Sequence, residues 1–301
     1  MIHFQNPNAF PTPDFEELPV GKYWGVNYLP VLAARGCYYG KCNFCAIPYG
    51  YGNRGFSGIR STELVFRDII NLENKYSMHR YKFMDEAVPP TTLKQLSDLI
   101  LKEKIQIEWE GFVRLERYWL NKAFVNKLGQ SGFKKGSFGL EIYPDEKRGN
   151  LRKNDNADEI LEVLKNCHDA KIKVHLFCMF GFPGTGRGEA EKTIEFILKY
   201  KHLIDSVDLN PYTYAKHTAI AGIEKIVKPD EDLALEYEYK SCCKDSLSSK
   251  EVEDLTAEME DVVWLEYPRL LHPTYRLVSP WNLPRTAQKL KEKGYVLAVS
   301  H

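Results

Sequence analysis

Strand-like and helix-like segments alternate along most of this chain. Short apolar runs are separated by longer segments in which apolar residues recur at helical spacing. Strands that are each followed by a helix pair in parallel and bury both faces of their sheet. We therefore predict an α/β fold, a parallel sheet covered by helices. The predicted strands are residues 29–34, 81–84, 107–114, 136–142, 172–180 and 206–209, and the predicted helices are residues 61–76, 92–104, 119–130, 156–170 and 189–201.

Three helix starts carry recognisable capping residues. Ser61 precedes the first helix, and Asn156, with Glu159 three residues later, precedes the fourth. Thr92 and Gln95 have the spacing of a capping box, in which each side chain bonds the other residue's backbone N–H. The pattern predicts that the second helix begins at this box.

Length and charge limit the classes of function. A chain of 301 residues is long enough for one α/β domain and an extension. Its 41 basic and 41 acidic residues give a formal net charge of zero, so no standing field favours nucleic acid or an anionic membrane. The sequence has no apolar run long enough to span a membrane and no amino-terminal signal. We expect a cytoplasmic protein without constitutive nucleic-acid or membrane binding.

Cys37, Cys42 and Cys45 lie within nine residues of one another, directly after the first strand-like run. Their thiolates are close enough in sequence to share one inorganic centre, and soft sulfur ligands favour zinc or an iron–sulfur cluster. A structural zinc site and an electron-transfer cluster both require four protein ligands. A [4Fe-4S] cluster held by three cysteines keeps one iron open. The alternative from the residues alone is a zinc or redox-inert loop with a distant histidine.

The residues around these cysteines resemble a known family. The stretch Arg-Gly-Cys-Tyr-Tyr-Gly-Lys-Cys-Asn-Phe-Cys, with Phe44 just before the last cysteine, is similar to the cluster loop of radical S-adenosylmethionine (SAM) enzymes. The usual spacing there is C-x3-C-x2-C, and this chain has one residue more between the first two cysteines. Such a longer loop occurs in the branch fused to a cobalamin-binding domain, whose linker also resembles the Pro-Asp-Phe-x-x-Leu-Pro phrase at residues 13–19.

The resemblance implies a radical SAM (β/α)6 partial TIM barrel with a C-terminal α-rich or irregular extension. We expect residues 1–28 to form an extended, linker-like segment, residues 29–215 the barrel, and residues 216–301 an extension that covers it. From the resemblance, three alternatives are open: a cobalamin domain is lost, it is supplied by another chain, or the resemblance is to the catalytic half only. Parallel barrels carry their chemistry on the loops after the strands.

Several residues in those loops are candidate SAM ligands because of the resemblance. Asp85 and Glu86 follow the second strand, where the family presents polar groups to the SAM amino group; the alternative is a solvated turn or a helix cap. Arg114, after the third strand, is a candidate for the SAM carboxylate or a substrate acid, with a surface ion pair as the alternative.

The later loops supply the other candidates. Glu141 ends a Gly-Leu-Glu phrase on the fourth strand, and an inward carboxylate there needs a ligand or a cation. Lys153 falls where relatives carry a basic residue near the SAM carboxylate. Gly181 and Pro183 belong to a Gly-Phe-Pro-Gly turn whose glycines allow a close approach of adenine. His175, on the fifth strand, is expected to be a satisfied core histidine.

The implied reaction is reductive cleavage of SAM to methionine and a 5′-deoxyadenosyl radical that abstracts hydrogen from an unidentified substrate. Such an enzyme requires a [4Fe-4S] cluster, SAM and a reductant such as flavodoxin or ferredoxin. Two alternatives stay open. One is a cobalamin-dependent radical SAM methyltransferase whose cobalamin domain belongs to another chain, and the other is a non-catalytic zinc or iron–sulfur binding protein.

Overall fold

A computed structural model describes residues 6–20, 28–50, 56–143, 151, 156–215, 218–225, 236–237, 239–241, 243, 246–267 and 270. Its strands, in chain order, are β1 (Leu29–Val31), β2 (Ala34–Gly36), β3 (Phe56–Ile59), β4 (Arg80–Phe83), β5 (Glu108–Val113), β6 (Phe133–Glu141), β7 (Lys173–Phe180), β8 (Ser206–Pro211), β9 (Tyr214–Ala215), β10 (Ile223–Lys225), β11 (Glu236–Tyr237) and β12 (Tyr239–Ser241). Its helices are α1 (Ile47–Gly50), α2 (Thr62–Tyr76), α3 (Pro90–Glu103), α4 (Lys122–Gln130), α5 (Ala157–Asp169), α6 (Arg187–Lys199) and α7 (Ser249–Glu266).

The central sheet has six parallel strands in the order β1-β4-β5-β6-β7-β8. Each new strand is added on the same side as the one before. Because parallel crossovers are right-handed, a sheet that grows in one direction carries all its crossover helices on one face. The predicted α/β fold, with six strands each leading to a helix, is confirmed.

Side chains on the central strands alternate between two faces. On β5, Trp109 and Val113 are buried in the core together with residues of the helices, whereas Glu110 and Phe112 are only partly buried. A strand directs successive side chains to opposite faces, so the second pair points away from the helices. We call this second side of β4–β8 the open face.

Two of the three predicted caps are present. The Ser61 side chain accepts from the Leu64 N–H at the start of α2, and the Asn156 side chain accepts from the Glu159 N–H at the start of α5. The predicted capping box at Thr92 is wrong. Helix α3 begins two residues earlier at Pro90, whose fixed φ suits the first helical turn and whose missing N–H needs no partner there.

The apolar run at residues 29–34, predicted as one strand, is divided. Strand β1 ends at Val31, and Ala34 begins β2, which pairs antiparallel with β3 outside the main sheet. Arg60 is buried and ion-paired with Asp68, and its Nη1 donates to the Leu32 carbonyl at the break. A polar anchor therefore bends the chain where the apolar pattern alone predicts continuity.

The third predicted helix is also divided. Residues 117–120 form a 3₁₀ turn, and α4 starts after Asn121, whose side chain accepts from the Phe124 N–H. Trp119, buried in the core, belongs to the 3₁₀ turn.

Both flanking segments contact the barrel. The described part of the amino-terminal segment lies along α2, where the Phe15 N–H donates to the Tyr76 hydroxyl. On the other side, α7 packs against β8 and α6, and the Leu270 carbonyl accepts from the Val207 N–H at the edge of the sheet. In the part of the chain that the structure describes, no helix is both long and apolar enough to cross a membrane.

Candidate functional site

The three clustered cysteines lie on the loop after β2, beside the carboxyl ends of the central strands. Cys37, Cys42 and Cys45 are all half-buried, and none of them is in a disulfide. Burial raises the pKa of the Cys45 thiol to about 11, and the neighbouring Cys42, Cys37 and Glu141 raise it further, while the Ile47 backbone N–H opposes this. The three thiols therefore lie within electrostatic reach of one another and of Glu141.

These thiols fit a multi-iron cluster in number and kind. Among the described residues, no three His, Cys, Asp or Glu side chains converge closely enough to share one metal ion. A four-iron cluster takes each thiolate on a different iron and does not require that convergence. Soft thiolates are the usual ligands of such clusters.

Asp85 and Glu86, after β4, hold the backbone that leads into the cysteine loop. Asp85 is fully buried, and its carboxylate accepts from the Ala33 and Ala34 N–H groups. The Glu86 carboxylate accepts from the Gly36 N–H at 3.1 Å. A solvated turn is therefore wrong for Asp85. Burial raises its pKa to about 7, against the lowering effect of the two N–H donors.

Arg114, after β5, contacts the cysteine loop directly. Its Nη1 donates to Cys42 Sγ at 3.5 Å, and its guanidinium lies 3.6 Å from the centre of the Tyr39 ring. Its Nε donates to Glu116 at 2.7 Å, and the Tyr38 hydroxyl donates to the other oxygen of the same carboxylate. The ion pair that the sequence offered as the alternative is therefore present, but its side chains are only 14% and 24% exposed and lie beside the cysteines. Binding of the SAM carboxylate by Arg114 stays a prediction.

The two tyrosines are functional contacts that sequence reasoning missed. Tyr38 and Tyr39 are the first two of the four residues between Cys37 and Cys42, a spacing one residue longer than usual, and that length was the signal in the sequence.

Phe44 joins the cysteine loop to the far end of the sheet. Its ring lies 5.1 Å from that of Phe182, and the Phe182 ring lies 5.0 Å from that of Tyr212 after β8. The Asn43 carbonyl accepts from the Ala219 N–H at 2.8 Å, so the extension also contacts the loop. Loops after β4, β5 and β7 therefore contact the cysteine loop or the residues that lead into it, and Tyr212 after β8 contacts Phe182.

Glu141 has an unusual backbone at the end of β6. Its φ is 62°, a left-handed value that non-glycine residues rarely adopt, and it is 8% exposed. The register with β7 shifts between Gly139 and Glu141. Strained backbone of this kind is typical of functional sites. The Glu141 charge also contributes to the raised pKa of Cys45.

The Gly-Phe-Pro-Gly turn after β7 is held by the extension. Gly181 has a φ of 85°, and a Cβ there would lie 2.3 Å from a methyl of Val252 on α7. The Gly184 N–H donates to the Ser246 hydroxyl. The space beside Gly181 that sequence reasoning reserved for adenine is therefore filled by Val252. Contact of SAM with the rest of this turn, including Pro183, stays a prediction.

Two sequence candidates lie apart from the cysteines or outside the structure. Lys153 is outside the described residues. His175 is buried and its Nδ1 lies 2.8 Å from the Ser206 hydroxyl, as expected for a satisfied histidine, but it is on the open face.

The comparisons with known proteins agree with this geometry. The model of the Radical SAM superfamily matches residues 31–197. The chain is 27% identical over 178 residues to bacteriochlorophyllide d C-12(1)-methyltransferase of Chlorobaculum tepidum, covering 57% of this chain and 37% of that protein.

Two solved structures share the fold. The cobalamin-dependent SAM radical enzyme OxsB, with aqua-cobalamin and SAM bound, matches with a TM-score of 0.59 and 14% identity over 78% of this chain and 41% of that one. The radical SAM methyltransferase TsrM of Kitasatospora setae, with cobalamin and [4Fe-4S] cluster bound, matches with a TM-score of 0.57 and 13% identity over 76% and 43%. The chain thus spans about two fifths of the length of these relatives. It belongs to the radical SAM superfamily, whose members use a [4Fe-4S] cluster and SAM, and is an enzyme of the radical SAM type.

Proposed function

We propose that Cys37, Cys42 and Cys45 hold a [4Fe-4S] cluster with one open iron, at which SAM binds through its amino and carboxylate groups. When bound and reduced, such a cluster would supply the electron that cleaves the S–C5′ bond of SAM into methionine and a 5′-deoxyadenosyl radical, which would take a hydrogen atom from a substrate held against the open face. The observation that carries this proposal is the position of three cysteines, none of them in a disulfide, within electrostatic reach of Glu141 at the carboxyl edge of the sheet.

The surrounding residues orient this site. Arg114 places a permanent positive charge 3.5 Å from Cys42 Sγ, which stabilises a thiolate there. Asp85 and Glu86 act on SAM through the loop backbone that they fix, although Glu86 keeps enough exposure to reach a ligand. Glu141, which lies within electrostatic reach of Cys45, is proposed to accept a hydrogen bond from SAM.

Lys153 and the Gly181–Pro183 turn are proposed to contact the carboxylate and adenine ends of SAM. For the turn, backbone groups are the proposed donors and acceptors, because Val252 occupies the space beside Gly181.

Enclosure of the radical is proposed to involve both flanking segments. We propose that residues 1–28 form a linker-like segment, residues 29–215 the barrel, and residues 216–301 an extension that covers it. Contacts of Ala219 with the cysteine loop and of α7 with β8 support this division. Exclusion of water protects a primary carbon radical from unproductive quenching. The electron is proposed to come from a small reductant such as flavodoxin or ferredoxin.

A second candidate is cobalamin-dependent methyl transfer. Its support is the likeness to a named methyltransferase and to enzymes solved with cobalamin. In that case a cobalamin-binding domain on another chain or segment would cover the open face. Production of methylated substrate only when cobalamin is supplied would favour this candidate over simple hydrogen abstraction.

The main proposal is tested with anaerobically reconstituted protein, dithionite and SAM. We expect wild type to form 5′-deoxyadenosine and Cys42→Ala to form none, because loss of one thiolate leaves one iron unheld. Cys243→Ala, which removes a half-buried thiol outside the motif, is the matched control and should keep the wild-type rate. Full 5′-deoxyadenosine formation by Cys42→Ala would refute the proposal.

A further inference from the structure

The open face carries a row of charged side chains on three adjacent strands. Lys82 on β4 is in register with Glu110 on β5, which is in register with Lys135 on β6. Lys82 Nζ lies 3.6 Å from the Glu110 carboxylate, so these two form a pair. Lys135 is the third member of the row. Because Glu110 is paired with Lys82, the Lys135 ammonium requires a different counter-ion.

Lys135 is a largely buried ammonium. No carboxylate of the described residues lies within the 4.0 Å of an ion pair. Burial lowers the pKa of Lys135, while the more distant Glu110 and Asp208 raise it and Lys82 lowers it. An ammonium withdrawn from water without a partner is costly, and such groups usually meet a counter-ion.

Asp208, on β8, lies on the same face and is a carboxylate with one oxygen that lacks a hydrogen-bond donor in the described part of the chain. Its Oδ2 lies 3.6 Å from His175 Nε2, whereas its Oδ1 is buried with no hydrogen-bond partner in the described part of the chain. Leaving a buried acceptor unsatisfied costs about 1–3 kcal/mol. Glu260 of α7 lies within electrostatic reach of Asp208. Burial raises the pKa of Glu260 to about 7, and the charges of Asp261 and Asp208 raise it further. The carboxylates here need a donor.

Aromatic rings lie on the same face, on β5 and β7. The Phe112 and Phe177 rings are stacked with centres 5.8 Å apart, and the His175 ring meets Phe177 edge-on at 4.5 Å. Both phenylalanines are only partly buried. Such a platform favours a flat apolar body.

From these features, and resting on the proposed function, we infer that the substrate is a flat, largely apolar carboxylic acid. Lys135 binds its carboxylate, and Asp208 accepts a hydrogen bond from an N–H or O–H at its other end. Lys135 is in register with Lys173, and Asp208 with Phe177, four residues further along β7. At about 3.3 Å per residue, the two anchors are offset by about 13 Å along the strands. The donor end therefore lies nearer the cysteines and is the end that reacts.

The test uses three aromatic probes and calorimetry on cluster-reconstituted protein with SAM. The probes are 6-hydroxy-2-naphthoate, its primary amide, which lacks the charge, and 6-methoxy-2-naphthoate, which has no hydroxyl donor. The variants are Lys135→Met, Asp208→Asn and, as a matched control, Lys134→Met at the adjacent exposed position.

We expect wild type to bind the hydroxy acid about tenfold more tightly than the amide and than the methoxy acid, since each comparison removes one charged hydrogen bond. Lys135→Met should lose only the preference for the hydroxy acid over the amide. Asp208→Asn should lose only the preference for the hydroxy acid over the methoxy acid. Lys134→Met should keep both preferences. If Asp208→Asn keeps the preference for the hydroxy acid over the amide, the variant is folded. Absence of the acid preference in wild type, or its survival in Lys135→Met, overturns the inference.

The same samples separate this inference from the proposed function. Iron content and 5′-deoxyadenosine formation report the cluster site and do not depend on the probes. Protein that cleaves SAM but shows no acid preference refutes the inference alone, whereas protein without SAM cleavage refutes the proposed function whatever it binds.

Discussion

Asp85 illustrates how a single side chain positions the cysteines without touching them. It is fully buried after β4 and accepts hydrogen bonds from two consecutive N–H groups, Ala33 and Ala34, at the point where the chain leaves the main sheet. A carboxylate satisfies both donors where a shorter or apolar side chain would leave them unpaired. The entry to the cysteine loop therefore depends on a contact with another strand.

The raised pKa of Asp85 predicts a pH dependence of stability. Its folded pKa is about 7 against an ordinary 3.8, so between these values the folded state holds a proton that the unfolded state has lost. The free energy of unfolding should then fall as pH rises from about 4 to about 7, by at most about 1.4 kcal/mol per pH unit.

Asp85→Asn cannot titrate, so urea unfolding at pH 5 and pH 8 should show wild type losing more stability than this variant. Asp98→Asn, which removes an exposed carboxylate bonded to Lys127, is the control and should follow wild type. Parallel behaviour of wild type and Asp85→Asn would contradict the assignment.

Glu141→Gln tests the proposed SAM contact. The amide keeps the shape of the side chain but loses the charge, so SAM affinity should fall about tenfold while iron content stays at the wild-type level. Calorimetric titration of the reconstituted protein with SAM measures the dissociation constant. An unchanged constant would assign Glu141 to structure or to the substrate.

At the scale of elements, the contact between the β7–α6 turn and α7 is tight. Gly181→Ala would place a methyl 2.3 Å from Val252 and would also strain a φ of 85°, so we expect a loss of about 2–4 kcal/mol in unfolding free energy.

Val252→Ala trims the opposing side chain. The double variant should therefore be more stable than the sum of the two single losses predicts, by about 1 kcal/mol. Chemical unfolding of the four proteins gives the coupling. Strict additivity would mean that the turn and α7 do not pack as described.

The elements themselves follow closely from the sequence, and the exceptions have physical causes. All six central strands overlap their predicted ranges, because the apolar residues that mark each strand are close together in sequence. The break after Val31 depends on Arg60 and Asp85, which are distant in sequence, and so the apolar pattern does not reveal it. Similarly, Pro90 overrides the capping pattern at Thr92.

The residues of the candidate site also differ in how far the sequence reveals them. The cysteines are recognisable from their spacing, whereas the Val252 contact at Gly181 requires the tertiary structure.

At the scale of the whole molecule, the described part of the extension packs on the β8 edge of the sheet. The buried side of α7 includes Leu255, Met259 and Val263, and Leu270 bonds the free edge of β8. Truncation after residue 215 would expose the apolar surface and the strand edge that these residues cover. We expect an aggregating protein, or a folded one that makes 5′-deoxyadenosine without coupling it to product. Size-exclusion chromatography detects aggregation, and product analysis compares 5′-deoxyadenosine with product. A truncated protein that is monomeric and forms product in step with 5′-deoxyadenosine would contradict this expectation.

Three cysteines that hold a four-iron cluster leave one iron open to SAM. Mössbauer spectroscopy of protein reconstituted with ⁵⁷Fe, before and after addition of SAM, distinguishes that iron from the other three. We expect about four irons per chain, with one of the four changing its spectrum when SAM binds, because three irons are each held by a thiolate. One zinc per chain without iron, or a cluster whose four irons are all unaffected by SAM, would contradict this expectation.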